Sequence, residues 1–396
     1  MRIHLGRPQY IAIGFLLIFL AQALYVAGRQ PLAGAELGYL QTGEQRLRGQ
    51  ASDAPHFVSP LIALMAAVPV LADGQTSLTD DDPDPLRWSA RLPFLLVGLL
   101  LGGSLWYVTR RLYGNAGGYV ALALYVFSPA PAISARVGPN LVAMLGVFGI
   151  FYISIALAHT FYPDDIGFFR ECSPRWRRVL LLAAAIFLAL GSAPTTLLLL
   201  PLALAFMYYL LPDRRRWWLP LGVILVTTCC ALLGLWAVNS FSAAALRQEL
   251  SLSVGVVSWR VAAEWIQRYF ASTLWLTHYP ALLLFLLLAL AAYLSKRRVR
   301  YFGNTAPLLV LTAAWLLAVA GLAPDTLAYG AFPLRALPFV FVFLAGVAAD
   351  VLELHPRRTV APMLIALLLS HATLGLLDLK RGGGSPHPFR IGAPDR

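Results

Sequence analysis

The chain has 396 residues, of which 59% are hydrophobic and only 13% charged, against roughly 25% charged in ordinary soluble domains. A soluble globular enzyme is excluded, because the apolar residues gather in runs such as Ile11–Ala27, Val179–Leu190, Ala281–Leu294 and Val360–Leu377, each near the length that crosses about 30 Å of hydrocarbon at ~1.5 Å per residue. The formal charge of +12 does not point to nucleic acid either, since the basic residues sit in short loops between apolar runs, where membrane topology places them.

Taken in order, Arg2 and Arg7 precede the first run as in a signal peptide, but the run is long and no convincing small-residue cleavage site precedes Gly34, so it reads as a retained span over 9–28. Further spans are expected at 88–108, 117–134, 141–160, 179–192, 195–211, 219–238, 275–294, 304–322, 333–352 and 358–377. With the N-terminus inside, basic clusters fall on every second loop: Arg110–Arg111, Arg170 to Arg178, Arg214–Arg216, Lys296 to Arg300, and Arg357–Arg358. This alternation predicts an all-α polytopic bundle of about eleven spans over residues 1–378, N-terminus inside and C-terminus outside, with a flexible tail over 379–396; the membrane expected for it is a bacterial inner membrane. That tail is basic yet falls outside, so the last span rests on hydropathy alone.

Two outside loops are long, 29–87 and 239–274. In the first, Leu37, Leu40 and Leu47 recur near helical spacing opposite Gln41, Glu44 and Arg48, which predicts an amphipathic interfacial helix over Glu36–Leu47. Pro60–Ala72 follows, with Ser59 as N-cap and Pro60 at the first helical position. Thirteen residues reach only about 20 Å, so this segment is re-entrant or interfacial rather than a span. The run Asp80–Asp84 reads as a solvated turn, with a cation site as the lesser reading. In the second loop Trp259, Ala262, Ala263, Ile266 and Phe270 share one helical face opposite Arg260, Glu264 and Arg268, an interfacial helix with surface ion pairs. Cys172 in a loop and Cys229–Cys230 in an apolar run give neither a disulfide framework nor a metal spacing, and no cofactor is implied; the two adjacent cysteines and Met65 read as packing.

One ordered pattern carries a functional suggestion. A first span and an outside loop with an amphipathic helix lead to a Ser-Pro-Leu run at Ser59. Ser89-Ala90-Arg91-Leu92-Pro93 and Arg110-Arg111-Leu112-Tyr113-Gly114 bracket the second span, Phe127-Ser128-Pro129 lies near the end of the third, and Ser134-Ala135-Arg136-Val137-Gly138-Pro139-Asn140 precedes the fourth. In this order and sidedness, over residues 8–210, the chain resembles the membrane-embedded GT-C glycosyltransferases, in the branch of the protein O-mannosyltransferases and aminoarabinose lipid A transferases. Phe332-Pro333-Leu334-Arg335-Ala336-Leu337-Pro338 is similar to the arginine- and proline-bearing start of a late span in that family.

The resemblance implies a sugar carried on a polyprenyl phosphate at the outer face, an acidic base in the first outside loop, and cations that stabilise the departing lipid phosphate. By it, Glu36 is the candidate base, and Arg91, Arg136, Asn140 and Arg335 are candidate substrate contacts; no metal is demanded. The departures cluster at the proton-transfer positions. The family's Asp-Glu pair is Ala35-Glu36 here, a second acidic position is Asn140, the His-Pro-Pro-Leu run reads Val58-Ser59-Pro60-Leu61 with His56 early, and a lysine is missing from Gly191–Thr196.

Each residue also has a bland reading. Glu36 suits the positive end of a helix, and a carboxylate one residue along a helix points about 100° from its neighbour. Arg91 and Arg136 suit snorkelling at span ends, and His278 suits the interface. Two functions follow: a glycosyltransferase taking a polyprenyl-phosphate sugar, or a degenerate relative serving as a structural or accessory subunit with partners in a membrane complex. A transporter fits less, since the spans hold almost no ionisable residues away from their ends.

Overall fold

The computed structural model describes residues 6–32, 34–48, 59–72, 86–161, 172–211, 217–239, 242, 246–247, 280–319, 335–355 and 357–380. It is helical throughout: α1 (Arg7–Arg29), α2 (Gly34–Leu47), α3 (Pro60–Ala72), α4 (Leu86–Phe127), α5 (Pro129–Ile133), α6 (Pro139–Ala158), α7 (Cys172–Ser192), a 3₁₀ segment (Pro194–Leu199), α8 (Leu200–Tyr209), α9 (Trp218–Val238), α10 (Pro280–Ser295), α11 (Phe302–Val319), α12 (Leu337–Leu354) and α13 (Arg357–Lys380). Proline stands in the first turn of α1, α5, α6, α8 and α12, where its missing N–H costs nothing.

Six of these helices are long and apolar enough to cross a membrane: α1, α4, α6, α9, α12 and α13. The 42-residue α4 is not one rod. Gly114, at φ 73°, turns it back on itself, a backbone state that glycine adopts without a Cβ penalty. The Tyr125 hydroxyl donates to the Gly98 carbonyl at 2.7 Å, so the two limbs run antiparallel. Shorter apolar helices are Pro60–Ala72, Pro194–Tyr209, Pro280–Ser295 and Phe302–Ala314.

The core runs along α12 and α6. Of their apolar windows 72% and 67% are buried, against 17% for α13 and 22% for α9, whose Leu369 and Leu233 face outward. Helices hydrophobic all round belong at the centre of such a bundle, and peripheral ones face lipid. Gly146 and Gly149 of α6 meet Ala189 and Ala185 of α7, small residues that let membrane helices approach closely.

Polar contacts sort the two ends. At one end Tyr113 donates to the Gly303 carbonyl, and Asn304 donates to the Val299 carbonyl at 2.8 Å and to Asp350 at 2.6 Å. At the other end α2 lies over α3. A Cβ on Gly43 would stand 2.2 Å from the Ala63 carbonyl oxygen, so only glycine allows this approach. Beneath α2, Ile62, Ala63 and Ala66 are fully buried, and the Ser59 hydroxyl donates to the Gly191 carbonyl at the end of α7. Thus α3 is a short apolar helix with one face buried under α2, while Val68 on it is exposed.

Two expectations change. Cys172 opens α7 rather than lying in a loop, and Cys229 and Cys230 are exposed on the outer face of α9 rather than packed. His56, Asp80–Asp84, the 259–270 segment, His278 and the tail from 381 onward lie outside the described residues.

Candidate functional site

α1 must stop at Arg29 because Gln30 is extended (φ −107°, ψ 120°) and Pro31 follows. Its last carbonyls therefore have no partner within the helix. Arg91, near the start of α4, supplies them: Nη1 donates to the Ala27 and Gln30 carbonyls at 2.7 and 2.8 Å, and Nη2 to the Pro31 carbonyl at 3.2 Å. The same guanidinium grips Glu36 in the first turn of α2, Nε to Oε1 at 3.0 Å and Nη2 to Oε2 at 2.5 Å. All five of its N–H donors are engaged, and its side chain is 0% exposed.

Glu36 has two further donors. Arg136 Nη2 reaches Oε2 at 2.8 Å and the Val137 backbone N–H reaches Oε1 at 3.0 Å. Both carboxylate oxygens are thus each held by two donors. Burial alone would raise the pKa of this carboxyl. The hydrogen bonds and charges of Arg91 and Arg136 outweigh it and hold the pKa below the ordinary 4.5. Arg136 also donates through Nη1 to the Gln30 side-chain oxygen at 2.6 Å, and its Nε is buried without a hydrogen-bond partner among the described residues. Its side chain is 27% exposed, unlike that of Arg91.

Three of the five sequence candidates therefore meet: Glu36, Arg91 and Arg136. They form a filled network rather than the wall of an open cavity. Asn140 stands in the first turn of α6 after the same turn that carries Arg136, with its Oδ1 buried and without a partner among the described residues. Arg335 is separate. Its buried guanidinium donates to Thr195 Oγ1 at 3.2 Å, and with Thr196 it lines a narrow crevice walled by Val147, Leu199, Val310 and Ala314. Tyr39, one helical turn beyond Glu36, feels the charge of Arg335. Burial pushes its hydroxyl up to about 12, against the pull of the Arg335 charge.

Sequence reasoning missed Gln30, the Val137 N–H and Tyr39. Tyr39 had a signal, its three-residue spacing from Glu36 on one helix face. Gln30 and the Val137 amide had none, because their roles depend on chain turns that no periodicity encodes.

Chemically, the network carries two guanidinium charges and one carboxylate, a surplus of one positive charge, and of the two arginines Arg136 is the partly exposed one. In this arrangement Glu36 has no lone pair open to a substrate hydroxyl. Tyr39 stays protonated at neutral pH. Among the described residues no group of three or more His, Cys, Asp and Glu could hold a metal ion.

The family model described as dolichyl-phosphate-mannose-protein mannosyltransferase matches residues 67–240, less than half of the chain. That stretch holds Arg91, Arg136 and Asn140 but neither Glu36 nor Arg335. Two solved structures of the Archaeoglobus fulgidus oligosaccharyltransferase are similar, both at 12% identity over 93% of this chain. The form tethered to an acceptor peptide gives a TM-score of 0.55 and the apo form 0.57. The chain spans about half the length of that protein, 55% and 56% in the two comparisons. No curated protein matches. At such identity the likeness shows the fold alone, a polytopic helical bundle like that of the oligosaccharyltransferase.

Proposed function

We propose that this chain engages a polyprenyl-phosphate-linked sugar at the Glu36 end of the bundle and acts there as a glycosyltransferase. The observation that carries this reading is Arg335, a buried cation beside an apolar crevice, at the end of the bundle where α2 supplies a wet surface. Such a donor is amphipathic: its phosphate requires a cation, its tail an apolar groove, and its sugar access to water. A guanidinium suits a phosphate, because its forked donors match the oxyanion geometry. Stabilising the departing lipid phosphate is the part of the chemistry that gains most from a preorganised charge.

A second reading has its own support. With Glu36 filled by four donors, Ala35 beside it and Asn140 at a second acidic position, the chain also fits a degenerate GT-C protein serving as an accessory subunit. Purified protein incubated with labelled polyprenyl-phosphate sugar and a panel of acceptors separates the two. Transfer that Glu36→Gln abolishes, with donor binding intact, makes Glu36 the base. Donor binding without transfer, together with a partner that co-purifies in mild detergent, supports the accessory role. A wild-type protein that binds no polyprenyl phosphate, or binds it as well with Arg335→Ala, sinks the donor assignment.

A further inference from the structure

We propose that His371 is a pH-sensitive latch, a neutral imidazole that docks the helix α13 on the break between α4 and α5 and releases it when protonated. Most of α13 faces outward. Among its described residues the buried ones, Leu364, His371, Gly375 and Leu379, follow one another at spacings of seven, four and four, a single narrow stripe. His371 is the titratable member of that stripe and is 3% exposed.

The stripe meets α4 where its carbonyls lack helical donors. Pro129 and Pro131 stand four residues after Tyr125 and Phe127 and have no N–H to give them. At Gly375 an added Cβ would collide with the Phe127 carbonyl oxygen, so the missing side chain is what admits α13 here. His371 Nε2 lies 3.1 Å from Ser128 Oγ and 3.3 Å from the Leu124 carbonyl oxygen. The Ser128 hydroxyl itself donates to the Leu124 carbonyl at 2.7 Å. That direction leaves a hydroxyl lone pair for the imidazole and assigns the ring proton to Nε2.

A second proton on the ring finds no counter-charge among the described residues. Of the elements packed on α13, α5 carries no titratable side chain, and α10 carries only Tyr293, which pairs with Thr305. On α12, Asp350 and Glu353 stand near the opposite end, where Asn304 holds Asp350. On α4, Tyr125 is engaged with the Gly98 carbonyl, Arg91 is held by Glu36, and Tyr107, Arg110, Arg111, Tyr113 and Tyr119 gather around the Gly114 turn. Along α13 itself Asp378 stands seven residues on, about 10 Å of rise. Burying a lone cation costs more than the carbonyl end of one helix returns, so the charged ring moves toward water and the stripe leaves α5. The consequence travels along the chain, because α5 leads into the turn that holds Glu36. In that stretch the Ser134 N–H donates to the Ala130 carbonyl at 2.9 Å, the Ala135 N–H to the Ala132 carbonyl at 3.3 Å and the Val137 N–H to Glu36 at 3.0 Å.

These three amides report the latch. The experiment measures their hydrogen–deuterium exchange in the full chain in nanodiscs, corrected for the intrinsic pH dependence of exchange. A solvated imidazole takes up its proton near about pH 6.5, so an open state that binds a proton the closed state refuses gains about tenfold between about pH 7.5 and about pH 5.5. Wild-type protection is expected to fall by that factor. His371→Asn keeps an N–H donor and cannot titrate, so its protection should be the same at both pH values; His371→Ala should be less protected than wild type at neutral pH and equally insensitive to acid. Glu36, with its pKa below 4.5, keeps its charge across this interval and does not confuse the Val137 amide. Wild-type protection that does not change with pH overturns the proposal, as does a His371→Asn protein that loses protection in acid as the wild type does. The latch does not depend on the donor reading, whose own probe is farnesyl phosphate, a short soluble polyprenyl phosphate.

Discussion

At the scale of the residue, Arg91 shows how much one side chain can organise. It is fully buried, closes the end of α1 and seats α2 through Glu36. Removing Arg91 takes two of the four donors from the buried Glu36 carboxylate and leaves the Ala27, Gln30 and Pro31 carbonyls without their partner, a loss on the scale of breaking a buried ion pair, about 3–5 kcal/mol. Arg91→Ala is therefore expected to lower thermal stability by that order, read as a fall in unfolding midpoint in detergent. Arg91→Lys should recover little, since an ammonium cannot reach five acceptors in a fixed fork. An Arg91→Ala protein as stable as wild type would show that the network contributes nothing net. The same network predicts a pH dependence. The folded pKa of Glu36 lies below its ordinary value, so its stabilisation is complete above the unfolded pKa near 4.5 and is lost as pH falls through the lower folded value. Stability from this source should stay flat from neutral to about pH 5 and decline only in stronger acid, a decline absent from Glu36→Gln. The charged residues were legible in the sequence as arginines and a glutamate at the outer ends of helices. Their pairing was not, because it depends on where the chain turns at Gln30 and Val137, and each arginine alone also fits snorkelling.

At the scale of the element, the seat of α2 depends on close approach rather than on hydrophobic pattern. α2 has little apolar character, and its contact with α3 passes through Gly43, whose added Cβ would meet the Ala63 carbonyl oxygen and the Ala67 methyl within 2.6 Å. Backbone atoms cannot yield as a flexible side chain can. Gly43→Val should push α2 off α3 and destabilise by about 1–3 kcal/mol, the usual cost of overpacking, and should open residues around Gly34–Leu47 to protease. Gly38→Ala on the same helix is the control. Its Cβ would meet nothing within 4 Å, and Ala in a helix interior is favoured over Gly by about 0.5–1 kcal/mol, so stability should hold or rise. Equal damage from both would refute the close-approach account. The helical character of 36–47 and 60–72 was readable from spacing and length. Their stacking was not, since a glycine in an amphipathic segment gives no sign of which neighbour it lets in.

At the scale of the whole molecule, the apolar runs were the most legible feature, and described helices stand at each of the predicted span positions. The reason is physical: a segment surrounded by lipid must satisfy its backbone internally, so hydropathy alone dictates a helix. The order of short motifs suggested the GT-C resemblance, and the two oligosaccharyltransferase structures share the fold of this chain. The end opposite Glu36 has its own consequence. Arg111, Arg177, Lys296, Arg297, Arg298, Arg300 and Arg358 are exposed there, with Trp176, Trp217, Trp218 and Tyr209 exposed at the neighbouring helix ends. Aromatic side chains of this kind sit at headgroup level, and cations near an anionic leaflet gain about 1 kcal/mol each. The protein in nanodiscs should accordingly unfold at a higher temperature in anionic than in zwitterionic lipid, by an amount that shrinks as salt is raised. Replacing Arg297, Arg298 and Arg300 with glutamine should remove a sizeable part of that difference and leave farnesyl phosphate binding at the other end unchanged. If the two lipids give the same midpoint at low salt, the basic end is no anionic-lipid surface, and its charges report only the way the chain was inserted.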